Sequence, residues 1–191
     1  MGRPKLSLAF ADGETLGARA WRAFADARVL THLIAVVRPE DPLDWLPEPG
    51  SAEIVRSPES ARGMSYSLRA GLRAARGHSP DAVLVALADQ PFLTPALYGE
   101  VTSAFTASPG VDYVACGYGS FSAPPAIFSP RLFDALAALE GDTGARKLFS
   151  DAKYTGIRIG VPDPDARMDV DTPADWEKAT EKRCRMFGNG D

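Results

Sequence analysis

Asp89 follows directly on the apolar run Ala82-Val83-Leu84-Val85-Ala86-Leu87-Ala88 and precedes Gln90-Pro91. A carboxylate that leaves a buried strand of an open α/β sheet stands at the crevice where such sheets bind their ligands. It can hold a hard divalent cation through oxygen, and the nearby proline stiffens the turn that aims it. A turn-forming aspartate is the competing reading, and position alone leaves the two open. A second acidic motif, Asp169-Val170-Asp171-Thr172-Pro173, lies far along the chain. In extended backbone, residues two apart point the same way, so both carboxylates face one side before the next helix starts. A magnesium ion between this pair and Asp89 is one reading. The other is that Asp171 only complements the positive end of the following helix, worth about 0.3–1 kcal/mol.

Cations come from Gly2-Arg3-Pro4-Lys5, in which a permissive glycine and a proline-stiffened turn present Arg3 and Lys5 as a clamp for phosphate oxygens. Solvated surface cations are the alternative. Gly63-Met64-Ser65-Tyr66-Ser67-Leu68-Arg69 presents hydroxyls and backbone N–H groups at a helix start, where an anion or a nucleobase edge binds readily. An ordinary helix N-terminus is the other reading. Gly141-Asp142-Thr143-Gly144-Ala145-Arg146 is a further loop entering a helix, with the same two readings. His32 and His78 accompany no serine or cysteine nucleophile pattern, so both read as structural or exposed, and a hydrolytic triad has no support.

The elements that must position these residues alternate between buried β-runs and helical patterns, as in a sheet joined by crossover helices. Leu16, Ala20, Phe24 and Ala27 share one helical face between Thr15 and Arg28, and Leu33 to Val37 follows as a strand. Glu53-Ile54-Val55 is a short strand, and Met64, Leu68, Leu72 and Ala75 form the sheet-facing stripe of a helix over 64–76. Continuous apolarity predicts that 82–88 is a central strand covered on both faces. Thr94-Pro95, Ser129-Pro130 and Thr172-Pro173 each pair a capping hydroxyl with a proline at the first helical position, which marks three helix starts. Strands are predicted over 111–116, 125–128 and 156–161, and a short helix over 145–152.

With 191 residues, 45% of them hydrophobic, and no internal repeat or second core, the sequence reads as one globular domain over 1–182 with a frayed tail over 183–191. A net charge of −4 and the lack of any basic run exclude wrapping of nucleic acid. Apolar stretches fall far short of the roughly 20 residues that a bilayer crossing needs. Cys116 and Cys184 are too few for a disulfide scaffold and wrongly spaced for zinc, and no signal peptide opens the sequence, so a cytoplasmic location is expected.

Taken together, Met1-Gly2-Arg3-Pro4-Lys5-Leu6, the segment Gly63 to Leu72, Asp89-Gln90-Pro91, Gly141 to Arg146 and Asp169 to Pro173 resemble, in order and approximate spacing, the molybdenum cofactor cytidylyltransferases. These sit within the wider group of MobA-like nucleotidyltransferases that includes the molybdopterin guanylyltransferases. The resemblance implies an α/β fold: a Rossmann-like three-layer α/β/α sandwich of the nucleotide-diphospho-sugar transferase type with a mostly parallel sheet. It implies Arg3 and Lys5 as triphosphate-binding cations, with Lys5, Arg3 and Asp89 catalytic and Asp89 and Asp171 as Mg2+ ligands. Gly2, Arg3, Lys5, Ser65, Ser67 and Arg69 would line the nucleotide, and Asp142, Thr143, Gly144 and Arg146 the acceptor. Substrates would be CTP or GTP and molybdopterin, with a molybdenum hydroxylase of the xanthine dehydrogenase type as a partner. Pro4 favours the cytidylyl branch. Ala88 replaces the family's usual glycine before the aspartate, and Ala123-Pro124-Pro125 replaces its Gly-x-Pro. The family's first strand and glycine-rich phosphate loop have no counterpart from Met1 onward, so a sheet without that strand is expected. A silent pterin-binding module, or a transferase acting on sugar phosphates or other phosphorylated metabolites, are the alternatives.

Overall fold

In the computed structural model, which describes residues 4–48, 50, 52–142, 144–161 and 163–187, hydroxyl caps start three of the helices. Helix α1, Leu16–Asp26, begins where Thr15 Oγ1 accepts the Ala18 N–H at 3.2 Å. Helix α3, Pro95–Thr106, begins where Thr94 Oγ1 accepts the Leu97 N–H at 3.3 Å. The last helix, α6, spans Pro173–Phe187, and its cap is reciprocal: Thr172 Oγ1 accepts the Asp175 N–H at 3.2 Å while the Asp175 carboxylate accepts the Thr172 N–H at 3.0 Å. Ser129-Pro130 behaves differently. It yields one 3₁₀ turn, Pro130–Leu132, with no bond from the Ser129 side chain, before the short α4, Phe133–Ala137. Helix α2 spans Met64–Arg76, the range its apolar stripe predicts, although Met64 itself is exposed. Helix α5, Arg146–Phe149, is a single turn.

Among the described residues, six strands form two sheets. Strands β1, Ile34–Val37, and β2, Glu53–Arg56, pair in parallel. Strands β3, Val83–Val85, β4, Tyr113–Tyr118, β5, Phe121–Phe128, and β6, Gly156–Gly160, form a second sheet in the order β3-β5-β4-β6. In it β5 runs antiparallel to both neighbours and only β4 and β6 pair in parallel. The sheet is therefore mixed, which corrects the expectation of a mostly parallel one. The cause is local: Gly119 and Ser120 alone join β4 to β5, and a two-residue link reverses the chain, whereas a parallel crossover needs a dozen residues or more. Gly117 in β4 and Pro124-Pro125 in β5 hid the continuous hairpin. Pro124 and Pro125 fall where the register jumps from Ala115 opposite Ala126 to Cys116 opposite Ala123, so neither is required to donate a ladder bond.

The run expected to be the central strand lies at the edge of its sheet, with β5 as its one partner among the described residues. Its faces are covered as expected. Ala82, Leu84 and Ala86 pack on the cluster around Tyr98, Val101 and Val114, while Val83 and Val85 pack on that around Phe128, Leu132 and Leu136. Continuous apolarity reports what covers a strand's faces and is silent on its hydrogen-bonding neighbours.

Helix α1 bridges β1 and α3, and helix α2 bridges both sheets. Trp21 of α1 packs with Ala35 and Val37 of β1, and Phe24 of the same helix meets Tyr98 edge-on at 5.2 Å. Helix α2 packs on β1 and α4, with Leu68 and Leu72 in the cluster beneath β4 and β5. The expected boundary at residue 182 falls within α6, where the Arg183 guanidinium pairs with Asp12 and Glu14. Among the described residues, no helix is long and apolar enough to cross a membrane.

Candidate active site

Because β5 opposes both β3 and β4, strands β3, β4 and β6 point the same way, and their carboxyl ends share one edge. Asp89 leaves β3 at that edge. Beneath it lies a small apolar cluster of Phe10, Leu16, Phe92, Val170 and Ala179, joined by Leu6, Met168 and Trp176. Its members are sequence neighbours of the chemistry-bearing residues: Leu6 follows Lys5, Phe92 follows Asp89-Gln90-Pro91, and Val170 separates the two aspartates. Burying Val170 fully turns the residues on either side of it away from the cluster, as the alternation of extended backbone requires. The Val170 N–H also donates to the Asp89 carbonyl at 3.1 Å, which ties the two acidic segments together.

On this platform Lys5, at the start of the one-turn 3₁₀ helix Lys5–Ser7, reaches both acids. Its Nζ donates to Asp89 Oδ2 at 2.7 Å and to Asp171 Oδ1 at 2.6 Å. Burial disfavours the ammonium, but hydrogen bonds to Asp171 and Asp89 and the charges of both outweigh it, so the Lys5 pKa is raised. Gln90, only 2% exposed, donates from Nε2 to Asp169 Oδ1 at 2.8 Å. Burial, reinforced by the neighbouring Asp89 charge, raises the Asp169 pKa against the opposing Gln90 hydrogen bond.

The donor set fits a hard dication. It is all oxygen, it carries two carboxylates already bridged by one cation, and the buried Asp89 Oδ1 has no hydrogen-bond partner. Among the described residues no group of three or more His, Cys, Asp or Glu is arranged around a common point. Two protein carboxylates are nevertheless what magnesium commonly receives, the rest of its shell being water and substrate phosphates.

The other predicted residues form a second cluster at the start of α2. Gly63 adopts φ +129°, and the loop through Gly141 folds onto it. Asp142 Oδ1 accepts the Met64 N–H at 3.1 Å, and the Gly141 carbonyl accepts the Ser65 N–H at 3.2 Å. The helix N-terminus expected to greet an anion or a base edge is thus engaged by the loop through Gly141 and Asp142. Ser65 is fully buried, with no partner for its Oγ. Ser67 is half-buried, and Arg69 lies 4.3 Å and Arg62 4.4 Å from the centroid of the Tyr66 ring. Gly144 is buried, and the exposed Arg146 lies 5.5 Å from the Phe121 centroid. Gly2, Arg3 and Thr143 lie outside the described residues. A Cβ on Gly63 would meet Asp142 Oδ1 at 2.7 Å and the Gly141 carbonyl carbon at 2.8 Å. Gly63→Ala is therefore expected to cost about 1–3 kcal/mol in urea unfolding, as a strained backbone position does.

Two features escaped the sequence. Arg167, at the end of the 3₁₀ turn Pro164–Arg167, lies 4.7 Å from the Phe121 centroid and 5.6 Å from that of Tyr118. An open groove of about 530 Å³ is lined by Gly117, Gly119, Arg158, Gly160 and Val161. Nothing in the periodicity marks the irregular turn that carries Arg167, although Arg167 stands only two residues before Asp169. His32 and His78 stack at 4.2 Å, with His78 Nε2 2.9 Å from Glu53 Oε2. That pair joins the loop before β1 to the one after α2.

A crossover-helix sheet thus gathers a lysine and two aspartates at its carboxyl edge. The chain belongs to the MobA-like NTP transferase domain family, whose model matches residues 1–156. It is 28% identical over 186 residues to the purine catabolism protein PucB of Bacillus subtilis (strain 168), a match covering 93% of this chain and 88% of that one. Rv0371c of Mycobacterium tuberculosis H37Rv, solved in complex with manganese, is 25% identical with a TM-score of 0.76, over 93% of this chain and 91% of its own. The molybdopterin-guanine dinucleotide biosynthesis protein A of Archaeoglobus fulgidus shares the fold at 18% identity and a TM-score of 0.69, over 97% and 93% of the two chains.

Proposed function

We propose that this chain transfers a cytidylyl group from CTP to the terminal phosphate of molybdopterin and releases pyrophosphate. The observation that carries the reading is the convergence of Lys5, Asp89 and Asp171, which are 84 and 166 residues apart in sequence. The similarity to PucB supports a role in supplying a molybdenum hydroxylase, such as an enzyme of the xanthine dehydrogenase type.

In this reaction an acceptor phosphate oxygen bonds to the α-phosphorus of CTP, and the bond from that phosphorus to the bridging oxygen breaks. The electron pair leaves with pyrophosphate. The attacking phosphate is already an anion, so no general base is required, in keeping with two histidines that stack on each other away from Asp89. What remains is positioning and charge neutralisation. Asp89 and Asp171 would hold Mg2+, which supplies positive charge to the phosphate oxygens when bound. Lys5 and Arg3 steady the triphosphate, Ser65, Ser67 and Arg69 border the nucleotide, and Asp142, Thr143, Gly144 and Arg146 border the acceptor.

Pyrophosphate release by the purified chain, measured with each of CTP, GTP, ATP and UTP and with molybdopterin or a panel of sugar phosphates, tests the reading. Release with CTP and molybdopterin together is expected. A preference for GTP overturns the base assignment. Release only with a sugar phosphate overturns the acceptor, and silence with every pair leaves a pterin-binding module.

A further inference from the structure

Lys5 stands where a dication would have to bind. Its ammonium lies 2.7 Å from Asp89 Oδ2 and 2.6 Å from Asp171 Oδ1, so one positive charge already bridges both candidate ligands. A magnesium ion bonded to the same oxygens at about 2.0–2.1 Å would compete with that ammonium for the same lone pairs and be repelled by it. Among the described residues no third carboxylate joins the pair, and Asp169 is engaged by Gln90 Nε2 at 2.8 Å.

The ammonium has somewhere else to go once a nucleotide arrives. Phosphate oxygens are strong partners for an ammonium, and they are also the oxygens that complete the shell of an ion held by two carboxylates. The Lys5 side chain is 34% exposed and carries its charge on a flexible four-carbon stem, so the head group can swing while the backbone turn stays in place.

We infer that Lys5 is an internal stand-in for the metal: it holds the Asp89–Asp171 pair closed until a triphosphate draws it away and frees the pair for a dication. This rests on the reading of Asp89 and Asp171 as metal ligands. Nucleotide and metal then strengthen each other's binding through one side chain, and the coupling is reciprocal. An order of loading follows, in which the metal joins tightly only with or after the nucleotide.

The test reads Mn2+ binding to the full chain without nucleotide, from the electron paramagnetic resonance signal of the free aqua ion. Lys5→Met is expected to bind Mn2+ more tightly than the wild type by about 5- to 150-fold, the usual span of such couplings. Asp89→Asn should abolish binding with or without the lysine. Equal affinities for wild type and Lys5→Met, both lost on Asp89→Asn, overturn the stand-in while leaving the metal pair in place. If neither protein binds Mn2+, even when CTP is present, the metal assignment falls and the stand-in falls with it. A wild-type measurement guards against a misfolded variant: the ¹⁵N resonance of the Lys5 ammonium should move when Mg2+ and CTP are added together. A resonance that stays in place overturns the exchange.

Discussion

Replacing Asp89 by alanine is expected to lower the proposed nucleotidyl transfer by about 10²- to 10³-fold and to leave the domain folded. The magnitude follows from removing one element of charge stabilisation from the transition state, worth about 2.7–4 kcal/mol, with each 1.36 kcal/mol being tenfold in rate. Folding survives because the Asp89 side chain is not part of the platform beneath it. The Val170 N–H binds the Asp89 main-chain carbonyl, and Lys5 keeps Asp171 as a partner at 2.6 Å. Pyrophosphate release, measured beside a thermal melt, separates the two effects. Turnover within tenfold of the wild type removes Asp89 from the machinery. Lost turnover with a collapsed melt shows instead that the carboxylate is structural.

Phe128→Ala attacks the fold itself. Phe128 is 1% exposed and lies opposite Val83 on one side and Tyr113 on the other, so it belongs to the strand that joins β3 to β4. Its ring stacks at 5.9 Å on Phe149, within the cluster formed by Leu132, Leu136 and Leu148. Truncating a buried phenylalanine costs about 3–5 kcal/mol, against a total stability of about 5–15 kcal/mol for a domain. Urea unfolding should show that loss as a lower midpoint with little change in slope. A loss under about 1 kcal/mol would mean that the site collapses around the missing ring and that β5 does not depend on it.

The residues that start helices were legible because capping is a local transaction. Thr94 and Thr172 each cap their helix ahead of a proline, as the pattern predicts, whereas Ser129-Pro130, which carries the same pattern, starts only a 3₁₀ turn with no side-chain bond. The bounds of α2 were equally plain in the spacing of Leu68, Leu72 and Ala75. What misled was the sheet. The alternation that marks a half-buried strand was absent in β4, where all six residues are buried, and β5 carries two prolines, so their hairpin turn went unseen. The candidate site was legible only as a set of motifs. That Lys5 would meet both Asp89 and Asp171 depends on long-range packing through Phe10, Phe92 and Val170, which no local pattern reports. The docking of Asp142 on Met64 was invisible for the same reason, since the two are 78 residues apart.

The apolar platform under Lys5, Asp89 and Asp171 has a dynamic corollary. Phe10 and Trp176 touch at 4.8 Å, and the same small cluster anchors the N-terminal turn, the loop after β3 and the last helix. Segments that share one patch of buried surface protect or lose their amide protons together, as a cooperative unit with its own opening free energy. A ligand that bridges any two of them slows amide exchange in the third, so occupancy is written into solvent exchange at residues the ligand never contacts.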